Sequence, residues 1–194
     1  PDMGHEVVQA ILESFKEDMP KSSSRPDFGA ASALRWHGLT LTLAHALFRR
    51  SASPQQLPEI LNALLLALSF EQRSAVGVST GSNVRDAACF GIWSLSRRYT
   101  TRELLSADVS EIKFDFHQDT GSIIQVLLSA CLDPSGNIRR GSSAALQELI
   151  GRHPDQVSNG ISLVQVVDYH AVGLRQRAMV NVAQSAANLD SVYR

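Results

Sequence analysis

"GSNVRDAACFGIW" occupies residues 81–93, and "GNIRRGSSAALQEL" follows at residues 136–149. Met alone, the first stretch offers the parts of a reactive loop: a glycine, Ser79 and Ser82 close by, Asn83, Arg85 and Asp86. Its second appearance decides against that reading. At a spacing of fifty-four, Val84, Ala87, Ala88 and Gly91 fall on Ile138, Gly141, Ser142 and Ala145. An aliphatic residue, an arginine and then small residues describe a helix that opens at a cap and lets a neighbour approach closely. Asn83 or Ser82 is expected to cap by accepting from the free amides, and Asp86 to favour the positive end of the dipole. The stretch is one tooth of a repeating scaffold.

Working outward, the apolar period is helical nearly everywhere. Val7, Val8, Ile11, Leu12 and Phe15 form one stripe, and Leu34, Leu39, Leu41, Leu43 and Leu47 lie in a broader apolar segment. Leu57, Ile60, Leu61, Leu64 and Leu68 recur at the spacing of one helix face. Val84 to Leu95, Ile123 to Cys131 and Ile138 to Leu149 follow, and Val172, Arg175, Met179, Val182, Ala186 and Leu189 close the series. No alternating strand stands out, so the fold class is all-α.

Connectors rich in proline, serine and glycine, "MPKSSSRPDFGA" (19–30) and "RRSASPQQLP" (49–58), divide the helices into pairs. About four units result, at 5–50, 55–99, 121–153 and 159–190, with an irregular stretch near 107–120 that takes no assignment. Pairs of this length are the grammar of HEAT and armadillo repeats, hence a right-handed α-solenoid. The chain begins at Pro1 and runs directly into "GHEVVQAILESF", which reads as an internal segment of a longer solenoid.

Composition narrows the function. Of 194 residues, 44% are hydrophobic and 19% charged, with a net charge of -1. That balance carries no overall positive field to draw in nucleic acid. "ILNALLLALSF" (60–70) is the longest apolar run, interrupted by Asn62 and Ser69. It is too short for the ~30 Å hydrocarbon core of a bilayer, so no membrane insertion is expected. Cys89 and Cys131 each sit in a helical apolar stretch, which suits buried thiols in a reducing compartment.

Four blocks carry a family resemblance: "WHGLTLTLAHAL" (36–47), "GSNVRDAACFGIWSLSRRY" (81–99), "NIRRGSSAALQELIGRH" (137–153) and "NGISLVQVVDYHAVGLR" (159–175). In this order and rough spacing they resemble consecutive blocks of the tubulin-folding cofactor D (tubulin-specific chaperone D) family. "VRxAA" alone is common to HEAT proteins; "GSNVRDAAC" followed by "VDYHAVG" is specific. The resemblance implies a cytoplasmic, microtubule cytoskeleton-associated solenoid that binds β-tubulin. With cofactors E and C and an Arf-like small GTPase, such a protein assembles and dissociates αβ-tubulin dimers and promotes GTP hydrolysis within a complex. The tail "RAMVNVAQSAANLDSVYR" (177–194) matches the family pattern poorly. A HEAT or armadillo scaffold of another pathway, a transport receptor or phosphatase subunit, shares the helix grammar but not these blocks.

No enzyme is expected, because no convergent acid, base and nucleophile can be assembled. "GVSTGS" (77–82) lacks the lysine of a phosphate-binding P-loop and reads as the turn into a helix. His37 and His45, eight apart, miss the i, i+4 spacing of a helical zinc pair. No metal or other cofactor is expected.

Partner contacts are sought among large or doubled side chains. Asp133 stands six residues before Arg139, the spacing of an Asp–Arg ladder between adjacent repeats; in the first copy that place is Ser79. With Arg139 committed to the ladder, Arg140 is turned about 100° away and left for an acidic partner. Arg85 and Trp36 are the other candidate contacts, although the core is the simpler place for an indole.

Overall fold

The structure, a computed structural model, describes residues 3–18, 28–29, 31–106 and 123–193. The unassigned stretch 107–120 lies outside them. The chain divides into two compact units, Pro1–Phe114 and Asp115–Arg194. Helix is the regular structure in both, and among the described residues the only β feature is an isolated antiparallel bridge between Arg73 and Ser79.

The first unit contains α1 (Met3–Glu17), α2 (Ala33–Phe48), α3 (Leu57–Leu68), α4 (Ser82–Arg98) and the short α5 (Thr101–Ser106). Helix α1 buries Val8, Ile11, Leu12 and Phe15, as its stripe dictates, and leaves Val7 outside. In α2 the buried face is Trp36, Thr40, Leu43, Ala44 and Leu47. Leu34 does not belong to it and is 81% exposed. Ser32 caps this helix, its side chain accepting from the Arg35 amide. Leu57, Ile60, Leu61, Leu64 and Leu68 of α3 are all buried, and α3 packs on α4, which in turn packs on α2.

Four rings tie the amino-terminal half together. Trp36 meets Phe15 edge-on at 4.9 Å, Phe28 edge-on at 5.2 Å and Phe70 at 5.3 Å between ring centres. Such ring pairs add about 0.5–1.5 kcal/mol each beyond the area they bury. The Trp36 indole N–H donates to Asp18 Oδ2 at 3.1 Å, so its one polar atom is satisfied.

Between α3 and α4 the chain makes a small hairpin. Ser74 N–H donates to the Val78 carbonyl and Thr80 N–H to that of Gln72, both across 2.9 Å. Gly77 turns the tip at φ +78°, a left-handed conformation that glycine adopts without a Cβ penalty. The Gln72 side-chain amide donates to the Phe28 and Ala31 carbonyls, anchoring the hairpin ahead of α2.

The second unit holds α6 (Ile123–Ala130), α7 (Gly136–Arg152), α8 (Gly160–Val166) and α9 (Tyr169–Gly173). A last helical segment follows: α10 (Arg175–Arg177), a π-helical turn (Ala178–Val182) and α11 (Ala183–Leu189). The sequence stripe placed Arg175 and Met179 on its buried face. The structure exposes both; it buries Val172, Val182 and Ala186 of that stripe, as expected, and adds Ala178. The cause lies in the break at Gly173–Leu174 and in the π turn, whose wider winding rotates the apolar face.

Candidate functional site

Arg139 sits on the first turn of α7, behind Ser135 and Gly136, and is only 4% exposed. Its guanidinium spreads over backbone carbonyls. Nη1 donates to Asp133 O at 2.9 Å and Pro134 O at 3.0 Å, Nε to Val172 O at 2.7 Å, and Nη2 to Gly173 O at 2.9 Å. Two of these acceptors lie at the end of α9, where carbonyls carry the negative end of a helix dipole. One side chain therefore joins the turn after α6, the start of α7 and the end of α9. Asp133 meets Arg139 through its main chain, while its carboxylate Oδ1 accepts from the Ser135 amide at 2.7 Å.

Arg85 repeats the device in the first unit. It is 6% exposed, and Nη1 donates to the Phe70 carbonyl at 2.7 Å and to Glu71 Oε2 at 2.6 Å. Ser79, at the place Asp133 holds in the second copy, lies 3.4 Å from Nη2 and donates its hydroxyl to Glu71 Oε2. Glu71 supplies the carboxylate that the sequence pattern left vacant at Ser79. As a buried clamp between hairpin and helix, Arg85 presents no open guanidinium to a partner.

The structure also places Trp36 away from partners: it is fully buried among rings. The expected cap at Asn83 is displaced. Helix α4 starts at Ser82 with Gly81 as its cap residue and no capping side-chain bond, so Asn83 lies inside the helix and Asp86 beyond its first turn, both exposed. Steric fit accounts for Gly81. A Cβ there would come within 2.6 Å of the Phe70 carbonyl oxygen and 2.8 Å of the Phe70 ring.

Arg140 differs from its neighbour. It is half-buried, donates to Asn137 Oδ1 at 3.1 Å, and holds its guanidinium carbon 6.0 Å from the centre of the Tyr169 ring. Tyr169 is 63% exposed. The pair forms a cation and ring at the surface, beside the start of α9. There Asp168 caps by accepting from the His170 and Ala171 amides at 2.7 and 2.8 Å. Those amide donors, Ala171 first, hold the Asp168 carboxyl below its usual range.

A second surface escaped sequence reasoning. Helices α2 and α4 run parallel, and the residues that meet across them are His45 with Phe90, 5.3 Å between ring centres, and Phe48 with Trp93, stacked at 6.3 Å. Arg97 covers the Trp93 ring at 5.2 Å and Arg98 the Phe48 ring at 5.5 Å. The signal was the i, i+3 spacing of His45 and Phe48 and of Phe90 and Trp93, which means nothing until the two helices are known to be neighbours.

Among the described residues no group of three or more His, Cys, Asp and Glu is placed to hold a metal ion. Both cysteines are buried, and burial pushes the Cys131 thiol up to about 12 despite a hydrogen bond from Ser142. Such a thiol is inert at neutral pH. No helix of the described residues is long and apolar enough to cross a membrane.

Paired helices, with α4 and α7 each clamped at its start by a buried arginine, define a protein of the helical-repeat class. The comparisons make the family plain. The family described as tubulin-specific chaperone D-like, ARM repeats, matches residues 1–161, and the chain belongs to it. It is 29% identical over 181 residues to a tubulin-specific chaperone D of Dictyostelium discoideum, covering 93% of this chain and 11% of that protein. It is 28% identical over 173 residues to a tubulin-folding cofactor D of Schizosaccharomyces pombe, covering 88% of this chain and 14% of that one. The chain thus spans only a small part of the length of these relatives. No solved structure matches it significantly.

Proposed function

We propose that the chain is a non-catalytic scaffold segment of a tubulin-specific chaperone, contributing to the capture of β-tubulin. The observation that carries this reading is the family match over residues 1–161, together with relatives named for tubulin folding. The interior supports it. Its buried arginines are spent on backbone carbonyls, and its buried cysteine is held protonated, as in a framework whose work is done at its surface. In this reading the helix pairs form four consecutive repeats of a right-handed solenoid. The whole protein acts in the cytoplasm, at the microtubule cytoskeleton. Its partners are β-tubulin, cofactors E and C and an Arf-like GTPase, whose hydrolysis it promotes only as part of the complex.

Arg140 is the proposed contact in the second unit. A half-exposed guanidinium backed by an exposed tyrosine suits a carboxylate-bearing partner. Capture of purified β-tubulin by the immobilised full-length protein tests the reading. Retention of β-tubulin above an α-tubulin control is expected. Absence of retention, with capture of a transport cargo or a phosphatase catalytic subunit instead, would assign the scaffold to another pathway.

A further inference from the structure

The family match ends at residue 161, and every residue lining one cleft of the second unit lies beyond it, so that cleft stands apart from the tubulin reading. It lies between α8 and the last helical segment, with a volume of about 610 Å³, within the range of ligand pockets. Ser162 and Gln165 of α8 form one wall, and Asn181 of the π turn and Ser185 of α11 the other. None of these four side chains makes a hydrogen bond among the described residues, so two hydroxyls and two carboxamides keep their donors and acceptors uncommitted. Val166, Val182 and Leu189 supply the apolar part of the lining.

Arg177 alone of the lining residues is charged. It is exposed, and among the described residues its guanidinium donates only to the His170 carbonyl, across 3.4 Å. The Asp168 carboxylate feels its charge but is already taken up by the His170 and Ala171 amides. The wall that carries Asn181 is wound as a π helix, the Ala183 amide reaching back five residues to the Ala178 carbonyl. Such turns are rare and recur at functional sites.

We propose that this cleft binds an extended polypeptide segment carrying an acidic side chain. The Gln165 and Asn181 carboxamides each offer a donor and an acceptor, the pair that a main-chain amide answers. Arg177 meets the carboxylate with its planar fork, and an apolar side chain of the segment rests on Val166 and Leu189. An extended chain fits better than a helix, because a helix has spent its main-chain groups on itself and leaves the carboxamides unanswered. Nucleic acid fits less well, since one guanidinium does not match a run of phosphates.

The test uses the full chain and a fluorescein-labelled synthetic peptide alternating valine with glutamate, followed by anisotropy. Saturable binding is expected, weakened at least about tenfold by Arg177→Gln and by Gln165→Ala combined with Asn181→Ala. All three side chains are exposed, so the melting temperature should hold. Two control peptides read the unaltered chain and decide even where a substitution lowers stability. One carries lysine for glutamate and reverses the charge; the other is N-methylated at alternate amides and loses main-chain donors. Each should bind at least about tenfold more weakly. No saturable binding, equal binding of either control, or affinity indifferent to the substitutions would overturn the proposal. Self-association of the chain, lost in Arg177→Gln, would overturn it in favour of a second copy as occupant.

Discussion

Arg85 Nη1 lies 2.7 Å from the Phe70 carbonyl oxygen, and this bond closes the hairpin onto the first turn of α4. Fifty-four positions on, Arg139 makes the corresponding bonds to Asp133 and Pro134 at the start of α7. A buried arginine committed to carbonyls is costly to remove, because the acceptors are left in a place water does not reach. Arg139→Ala is expected to destabilise the fold by on the order of 2–4 kcal/mol, and Arg85→Ala by a similar amount. Glu71→Gln should cost less, about 1 kcal/mol or below, since the Glu71 side chain is 42% exposed and solvent already screens the pair. Urea unfolding of the three variants checks the order, and equal losses in all three would refute it.

Two glycines should respond differently to the same change. An added Cβ at Gly81 would strike the backbone carbonyl of Phe70 at 2.6 Å, and the hairpin has little room to give. At Gly91 it would meet the Leu64 Cδ2 methyl at 2.5 Å, the movable end of a side chain. Gly81→Ala is expected to cost ~1–3 kcal/mol. Gly91→Ala should cost less, because alanine regains up to about 1 kcal/mol of helix propensity. Thermal melting of the pair decides; a larger loss at Gly91 would show that α3 and α4 cannot shift.

Ala88 and Ala145 are both fully buried, on faces where helices close on each other. Ala88→Leu and Ala145→Leu should each lower stability by ~1–3 kcal/mol through overpacking. Unchanged melting in both would mean that neither position faces a close contact.

Much of this was legible in the sequence, and the misses share a cause. Apart from exposed Val7, the stripes of α1, α3, α4, α6 and α7 are buried as read, because a regular helix carries its own period. What failed depended on partners distant in sequence. Gly81 caps α4 because of Phe70, eleven positions earlier, where a side chain at 81 would collide. Trp36 is interior, where an indole is most simply placed, but the rings that hold it there, Phe15, Phe28 and Phe70, converge from three separate segments. In the last helical segment only Arg175 and Met179 left the expected face, at a break and a π turn that no apolar pattern announces.

Cys131 makes a pH prediction. Its thiol ordinarily titrates near 9.0 and is pushed up to about 12 by burial. The folded state therefore keeps its proton at pH values where the unfolded chain gives it up. The stabilisation linked to this proton is full below pH 9 and is lost as pH rises towards 12. Stability of the native chain should fall more steeply over that window than that of Cys131→Ala. A thiol reagent at pH 8 should label Cys131 only as the chain unfolds, and prompt labelling of the folded protein would contradict its burial.

The most direct test of the account compares the two adjacent arginines in the full-length protein, by β-tubulin capture and thermal melting together. Arg139 is held by four backbone carbonyls, while Arg140 leans over exposed Tyr169. Arg140→Glu is expected to weaken capture while leaving stability within ~0.5 kcal/mol, as for a surface change. Arg139→Glu should lower the melting temperature first, with capture lost only as the fold is lost. Normal capture by Arg140→Glu, or undiminished stability in Arg139→Glu, would contradict the division of a buried framework from a binding surface.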